Sequence, residues 1–267
     1  METVPIITLT TDFGLQDGFV GILKGVIWSI CPQARLADLS HAITPQNVLQ
    51  GALLLRRAAP YFPLGTVHLA VVDPGVGTGR RGLAARLGEQ VFVGPDNGLF
   101  TAVLEDAERA GVEGAFVELT NRRYWRAEVS ATFHGRDIFA PVAAHLAAGV
   151  PLVDLGPALN DPARIALPRA ERTAGGWRAH VIGIDAFGNL TSDLPAGELP
   201  PGGAVVVRCC GREIAGLAGS YGRRAAGELV ALVDSQGLLE IAMVNGSAAR
   251  ELGAQVGDPI EIMINLV

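Results

Sequence analysis

Three apolar runs in the first 75 residues each end on a polar turn: VPIITLTTDFG on Asp12, ARLADLS on Ser40, and GTVHLAVVDPGVG on Asp73 and a glycine-rich stretch. Helical spacing separates them. GFVGILKGVIWSICP carries apolar residues at three- and four-residue intervals until Pro32 stops it. In HAITPQNVLQGALLLRRAAPYFP, Thr44 is the expected N-cap, Pro45 the first helical residue and VLQGALLL the buried face. Strand, turn and helix repeated in this way restrict the chain to an α/β layer with a largely parallel sheet. In such sheets ligands gather at the carboxyl ends of the strands, where Asp12 and Asp73 fall. GLAARLG, QVFVGP and GAFVELT read as further strands, and GRDIFAPVAAHLAAG as a helix with His134 just before it.

Between about residues 150 and 180 prolines and glycines replace sustained periodicity, and the linker is placed there. The expected division is an N-terminal α/β domain over 1–165 with a largely parallel central sheet, followed by a smaller, mostly β domain over 166–267. Short strand-like segments separated by glycine turns, among them WRAHVIGIDAFGNLTSDLP, GAVVVRCCG, ELVALVDSQGLLEIAMVNG and DPIEIMINLV, suit a barrel or a sandwich.

Composition narrows the classes of function. About half of the 267 residues are hydrophobic (49%) and only 18% charged, as in a folded globular protein, and the formal charge of -6 disfavours a nucleic-acid or anionic-membrane surface. No apolar run approaches the roughly 20 residues of a membrane span, and no basic segment leads into a signal-peptide core, so the expected location is the cytoplasm. Cys31, Cys209 and Cys210 are too few and too poorly spaced for a disulfide framework or a four-thiolate metal site.

The glycines at 75, 77, 79 and 82 lack the lysine and hydroxyl of a phosphate loop, and Asp73 before them would repel a phosphate. Asp12, Asp17, Asp73, Asp96 and His134 could face one crevice as oxygen-rich ligands for magnesium or calcium, but no close ligand spacing supports a metal. Asp12 could equally accept hydrogen bonds from the vicinal hydroxyls of a ribose. His41, His68 and His145 read as structural. His134, in ATFHGRD, is either a chemical group or the partner of a helix start. Arg80 and Arg81 are either an exposed basic pair or, if one is buried opposite Asp73, a cationic clamp. In DAFGN, Phe187 could stack on a flat ring while Asn189 reads its edge, or the segment is an ordinary β-turn.

Taken together, TLTTDFG, DLSHAITPQNV, GTVHLAVVDPGVGT, VGPDNGLF, SATFHGRDIFAPVAAHLA, IDAFGNLTS and LEIAMVNGSAA resemble the S-adenosylmethionine hydroxide adenosyltransferases. These adenosine-forming SAM hydrolases share a superfamily with the SAM-dependent chlorinases and fluorinase. The resemblance runs in order along nearly the whole chain. It implies attack of water or hydroxide on the 5' carbon of SAM, giving adenosine and methionine, with Asp73, Arg80 and His134 as the catalytic group. It implies that Asp12 holds the ribose, that Asp185, Phe187 and Asn189 contact the substrate, and that Ser235, Asn245 and Ser247 lie near its methionine end. Asp17, Asp96 and Asn97 are expected in support. SAM is the small-molecule substrate, and neither a cofactor nor a metal is implied. A homotrimer is implied, with each site between the larger domain of one subunit and the small domain of its neighbour. The halogenating relatives have an aromatic residue in place of Asp73 and a hydroxyl residue where Val76 stands. A SAM-dependent halogenase and a non-catalytic adenosine- or SAM-binding module remain the rival readings.

Overall fold

A computed structural model describes residues 4–200 and 204–265 and divides the chain into two compact units, Met1–Leu167 and Pro168–Val267. The first unit runs β1 (Ile6–Thr11), α1 (Phe19–Ile30), β2 (Arg35–Ser40), α2 (Val48–Ala58), β3 (Val67–Val71), β4 (Gly82–Leu87), β5 (Gln90–Pro95), α3 (Thr101–Arg109), β6 (Gly114–Glu118) and α4 (Ala140–Ala147). Its six strands lie in the order β2-β1-β3-β5-β4-β6. The neighbours β2, β1, β3 and β5 are parallel, whereas β4 runs antiparallel to both β5 and β6. Reversal at β4 follows from its hairpin with β5, turned at Gly88 with φ of 59°. It brings the start of β4 to the edge of the sheet where β1, β3, β5 and β6 end.

Both faces of this sheet are covered, as the unbroken burial of VHLAV in β3 requires. On one face α1 and α4 pack Leu23, Ile27, Val142 and Leu146 against Ile7, Leu9 and Leu69. On the other, Leu55 of α2 and Val103 and Leu104 of α3 join Phe92, Leu99 and Phe100. Helix α1 buries Val20, Leu23, Val26 and Ile27 at helical spacing and ends as expected before Pro32. Helix α2 starts later than its sequence implies. Asn47, not Thr44, caps it by accepting from the Gln50 N–H, because Gln46 takes a left-handed φ of 66° that a helix started at Pro45 would not allow.

The second unit contains β7 (Glu171–Thr173), β8 (Gly176–Ile184), β9 (Leu190–Pro195), β10 (Ala204–Cys209), β11 (Arg212–Ala215), β12 (Leu229–Val233), β13 (Leu238–Met243), α5 (Ala248–Leu252) and β14 (Pro259–Asn265). Gly203, Leu266 and Val267 of the expected strands lie outside the described residues. The strands pair antiparallel in the order β11-β10-β14-β8-β9-β13-β12, with β7 beside β8. A bridge between Leu217, just past β11, and Ala231 of β12 links the two ends of that path, so the sheet curls into a near-barrel. Alternate residues Val205 and Val207, Leu239 and Ile241, and Ile260 and Ile262 fill its interior. Among the described residues, no helix is long and apolar enough to cross a membrane.

Candidate active site

At the carboxyl edge of the first sheet, β3 ends and the chain turns through Asp73 to Arg80. The Val76 N–H closes on the Asp73 carbonyl at 3.3 Å and the Thr78 hydroxyl on the Gly75 carbonyl at 2.7 Å. Gly77 is required in this turn on two counts. Its φ is 77°, and a Cβ there would stand 2.3 Å from the Ala131 carbonyl oxygen of the loop that carries His134.

The turn folds Arg80 back onto Asp73. Nε donates to Oδ1 at 3.1 Å and Nη2 to Oδ2 at 2.6 Å, a two-pronged pairing between side chains that are 9% and 5% exposed. Nη2 also reaches His134 Nδ1 at 3.0 Å, Nη1 donates to the Arg81 carbonyl at 2.8 Å, and the guanidinium lies 5.2 Å from the Phe139 ring centre. Residues 7 and 54 positions apart along the chain thus share one guanidinium. Of the two readings of the Arg80-Arg81 pair, the clamp holds for Arg80. Burial and the positive charge of Arg80 push the His134 imidazole below its usual range, against the opposing pull of Asp73 and Asp137.

His134 sits where a π-helical turn, Gly135–Phe139, leads into α4. The fully buried Asp137 of that turn holds the loop before it. It accepts from Arg136 Nε at 2.7 Å and Nη2 at 2.9 Å and from the Ser130 N–H at 2.9 Å, with Arg126 Nε at 3.6 Å. Burial pushes its carboxyl up, but these partners outweigh burial and leave it below the usual carboxylate range. In the sequence Asp137 is only a neighbour of His134, and nothing in its spacing marks it as the residue that ties the loop.

Asp12 follows β1. Its Oδ2 accepts from the Gln46 N–H at 2.8 Å, and Oδ1 has no hydrogen bond among the described residues. The left-handed Gln46 that displaced the start of α2 is therefore the residue that fixes Asp12. Thr11 bonds His41 Nδ1 at 2.8 Å beside it, and Phe13, Phe19 and Phe133 stack edge to face with centres 5.3 to 6.0 Å apart. Asn97 donates to the Val72 carbonyl at 2.9 Å and so supports the approach to Asp73. Asp96 turns elsewhere, to Arg81 Nε at 2.8 Å and the Ala163 N–H at 2.7 Å, and Asp17 is exposed. The acidic residues that could have shared one crevice are therefore divided: Asp73 pairs with Arg80, Asp96 with Arg81, Asp12 with the Gln46 N–H, and Asp17 is exposed, and among the described residues no three His, Cys, Asp or Glu side chains gather as metal ligands.

In the second unit, DAFGN forms a closed turn. Asp185 Oδ1 accepts from the N–H groups of Phe187 at 2.9 Å and Asn189 at 2.8 Å, and Oδ2 from the Asn189 side-chain amide at 2.9 Å. Asn189 is buried while Phe187 is 77% exposed, so the turn displays a bare aromatic ring. A Cβ on Gly188 would stand 2.0 Å from Ser247 Oγ, and Ser247 caps α5 by accepting from the Arg250 N–H. Asn245 has a left-handed φ of 54°, and Ser235 lies in the 234–238 turn closed by Asp234. Two residues of this unit escaped the sequence reading. Tyr221 donates to the buried Glu240 at 2.7 Å, and burial, that bond and the charges of Glu240, Asp185 and Asp234 push its phenol up to about 12.

Residues 7–156 match the model of the SAM hydroxide adenosyltransferase N-terminal domain, and residues 179–261 that of the C-terminal domain. The chain belongs to the SAM hydroxide adenosyltransferase family. An (R)-S-adenosyl-L-methionine hydrolase of Salinispora tropica is 44% identical over 265 residues, covering 98% of this chain and 99% of the relative. A fluorinase of Actinoplanes sp. is more distant, at 34% identity over 226 residues and 74% of each chain. The crystal structure of an uncharacterized conserved protein from Thermotoga maritima superposes with a TM-score of 0.88 at 38% identity, covering 96% of this chain and 99% of that one. Asp73, Arg80 and His134, and the turn from Asp185 to Asn189, all lie inside the segments matched to this family.

Proposed function

We propose that the protein hydrolyses (R)-S-adenosyl-L-methionine to adenosine and L-methionine by attack of water on the ribose 5' carbon. The observation that carries this reading is the shared guanidinium of Arg80, which binds Asp73 and His134 at once. The relatives' names support the substrate and its configuration at sulfur, and the family match supports the chemistry.

A sulfonium leaves as a neutral thioether, so the departing methionine needs no general acid. The site has to hold one water in line with the carbon–sulfur bond and provide for its proton. Arginine has only donors, so His134 Nδ1 must accept from it. Neutral His134 therefore carries its hydrogen on Nε2 and donates to the water oxygen instead of removing its proton. The lone pairs that Arg80 leaves free on Asp73 accept from the water, and Asp73 receives the proton as the carbon–oxygen bond forms and the carbon–sulfur bond breaks. On this reading Oδ1 of Asp12 receives the ribose hydroxyls. Exposed Phe187 stacks on the adenine, Asp185 and Asn189 shape that turn, and Ser235, Asn245 and Ser247 stand toward the methionine end. The protein works in the cytoplasm, without a cofactor, as a homotrimer whose sites form between subunits.

Incubation with SAM, with and without chloride, followed by chromatography tests the proposal. Adenosine and methionine should appear without halide, the R epimer should be consumed from a mixture of sulfur epimers, and Asp73→Ala should lower kcat by about 100-fold or more. Formation of 5'-chloro-5'-deoxyadenosine would move the protein to the halogenases, and binding without turnover would make it a binding module.

A further inference from the structure

A cavity of about 550 Å³ opens in the first unit where β4 begins and β6 ends, and its lining includes Gly79, Arg80, Arg122, Ala131 and His134. It lies to one side of the catalytic group. Asp12 follows β1, three strands from β4 in the sheet order and thus roughly 14 Å across at the usual strand spacing, while Asp73 follows the intervening β3. Asp73 itself does not line the cavity, but its two partners Arg80 and His134 do. The site thus has a ribose carboxylate on one flank and an open, polar space on the other.

We propose that this cavity is the water side of the site, from which the nucleophile reaches Asp73, Arg80 and His134 while the nucleoside occupies the β1 side. The inference rests on the hydrolase reading above. In-line displacement needs the nucleophile and the leaving sulfur on opposite sides of the 5' carbon, so a separate approach for water is what the reaction requires. The polarity of the walls agrees. Arg80, Arg81 and Arg122 line the space against a single carboxylate, Glu118. Arg80 is neutralised by Asp73 and Arg81 by Asp96 and Asp161, but Arg122 has no carboxylate partner among the described residues and lies 5.6 Å from the Trp125 ring. Guanidinium groups have only donors, so this lining suits water held through its oxygen. The volume far exceeds the about 30 Å³ that one water occupies in the liquid, so the cavity can hold a chain of waters in exchange with solvent.

Gly79 allows the cavity to be filled without crowding the fold. A Cβ there meets no atom within 4 Å, and its φ is not left-handed, in contrast to Gly77. Gly79→Leu and Gly79→Trp should lower kcat progressively, by about tenfold or more for Trp, while the dissociation constant for S-adenosyl-L-homocysteine stays within about twofold of the wild type. Ala131→Phe, an exposed position in the same lining, should act in the same direction and guards against a local effect of position 79 on its neighbour Arg80. Unchanged kcat in folded variants at both positions would overturn the proposal. So would loss of S-adenosyl-L-homocysteine binding in step with kcat, because the cavity would then hold substrate. A wild-type protein that does not hydrolyse SAM would fail the hydrolase reading itself, a result separate from either of these.

Discussion

Arg80 makes the protonation of His134 part of the geometry. A guanidinium hydrogen directed at Nδ1 leaves no place there for a second proton, so an imidazolium would have to break the 3.0 Å contact. Burial and the Arg80 charge already hold the imidazole below its ordinary range, which keeps it neutral to lower pH than a free histidine. The expected consequence is a kcat/KM profile that is flat near neutrality and falls on the acid side only below about pH 6.5, the unperturbed histidine value. Arg80→Lys should lower kcat by about tenfold or more, because an ammonium cannot grip both oxygens of Asp73 and still reach His134. It should leave the secondary structure seen by circular dichroism unchanged. An acid limb centred above pH 6.5 would contradict the assigned tautomer. Residue types alone left Arg80 and His134 open, and the family resemblance singled out Asp73, Arg80 and His134 as a group, whereas their hydrogen-bonding roles were not legible, since one arginine joining positions 61 apart is a product of the tertiary fold.

Two elements place that geometry, and each carries a testable load. The π-helical turn before α4 aims His134, and Asp137 binds it to the loop at Ser130 and Arg126. Asp137→Asn keeps the shape but loses the charge that gathers two arginines, so kcat should fall by roughly tenfold with KM nearly unchanged. Asp137→Ala should in addition cost about 1–2 kcal/mol of stability in denaturant unfolding, because the Ser130 N–H loses its acceptor while the partly exposed Arg136 and Arg126 can turn to water. Strand β3 carries the other load. His68 is fully buried in it, bonded through Nδ1 to Thr8 at 2.8 Å and stacked on Phe92 at 4.8 Å, and burial pulls its imidazole down to about 4. Its folded value lies below its unfolded one, so between about pH 6.5 and 4 the unfolded chain binds more protons and stability falls as pH drops. The loss should be on the order of 3 kcal/mol over that window. Urea unfolding at pH 7.5 and pH 4.5 measures it, and the joint change His68→Leu with Thr8→Val should reduce the difference. Periodicity foretold β3 and the end of α1, but the start of α2 was misplaced because the left-handed Gln46 answers to Asp12, a contact from 34 residues away.

At the scale of the whole molecule, each unit has its own core: the two faces of the mixed sheet in one, the near-barrel interior in the other. Strand and turn periodicity carried the fold class, because alternating elements and valine-rich two-residue repeats are local signals. Closure of the second sheet through Leu217 and Ala231 was not legible, because it depends on the two ends of a seven-strand path meeting. The division of the candidate residues between the units has a consequence for assembly. The proposed catalytic group, Asp73, Arg80 and His134, belongs to the first unit, and the exposed Phe187 with the Asp185 turn to the second. If each site takes its first unit from one subunit and its second from the neighbour, two inactive chains can complement each other. Asp73→Ala removes the first half-site and the pair Asp185→Ala with Phe187→Ala the second. When equal amounts are unfolded and refolded together, a site is intact only if its first unit comes from the latter chain and its second from the former. Random assembly of a cyclic trimer makes this true for about one site in four. Recovery of about a quarter of the wild-type rate, absent when either variant is refolded alone, is the expected result. If the mixture stays inactive although light scattering shows that the variants assemble together, the two halves of each site come from a single chain.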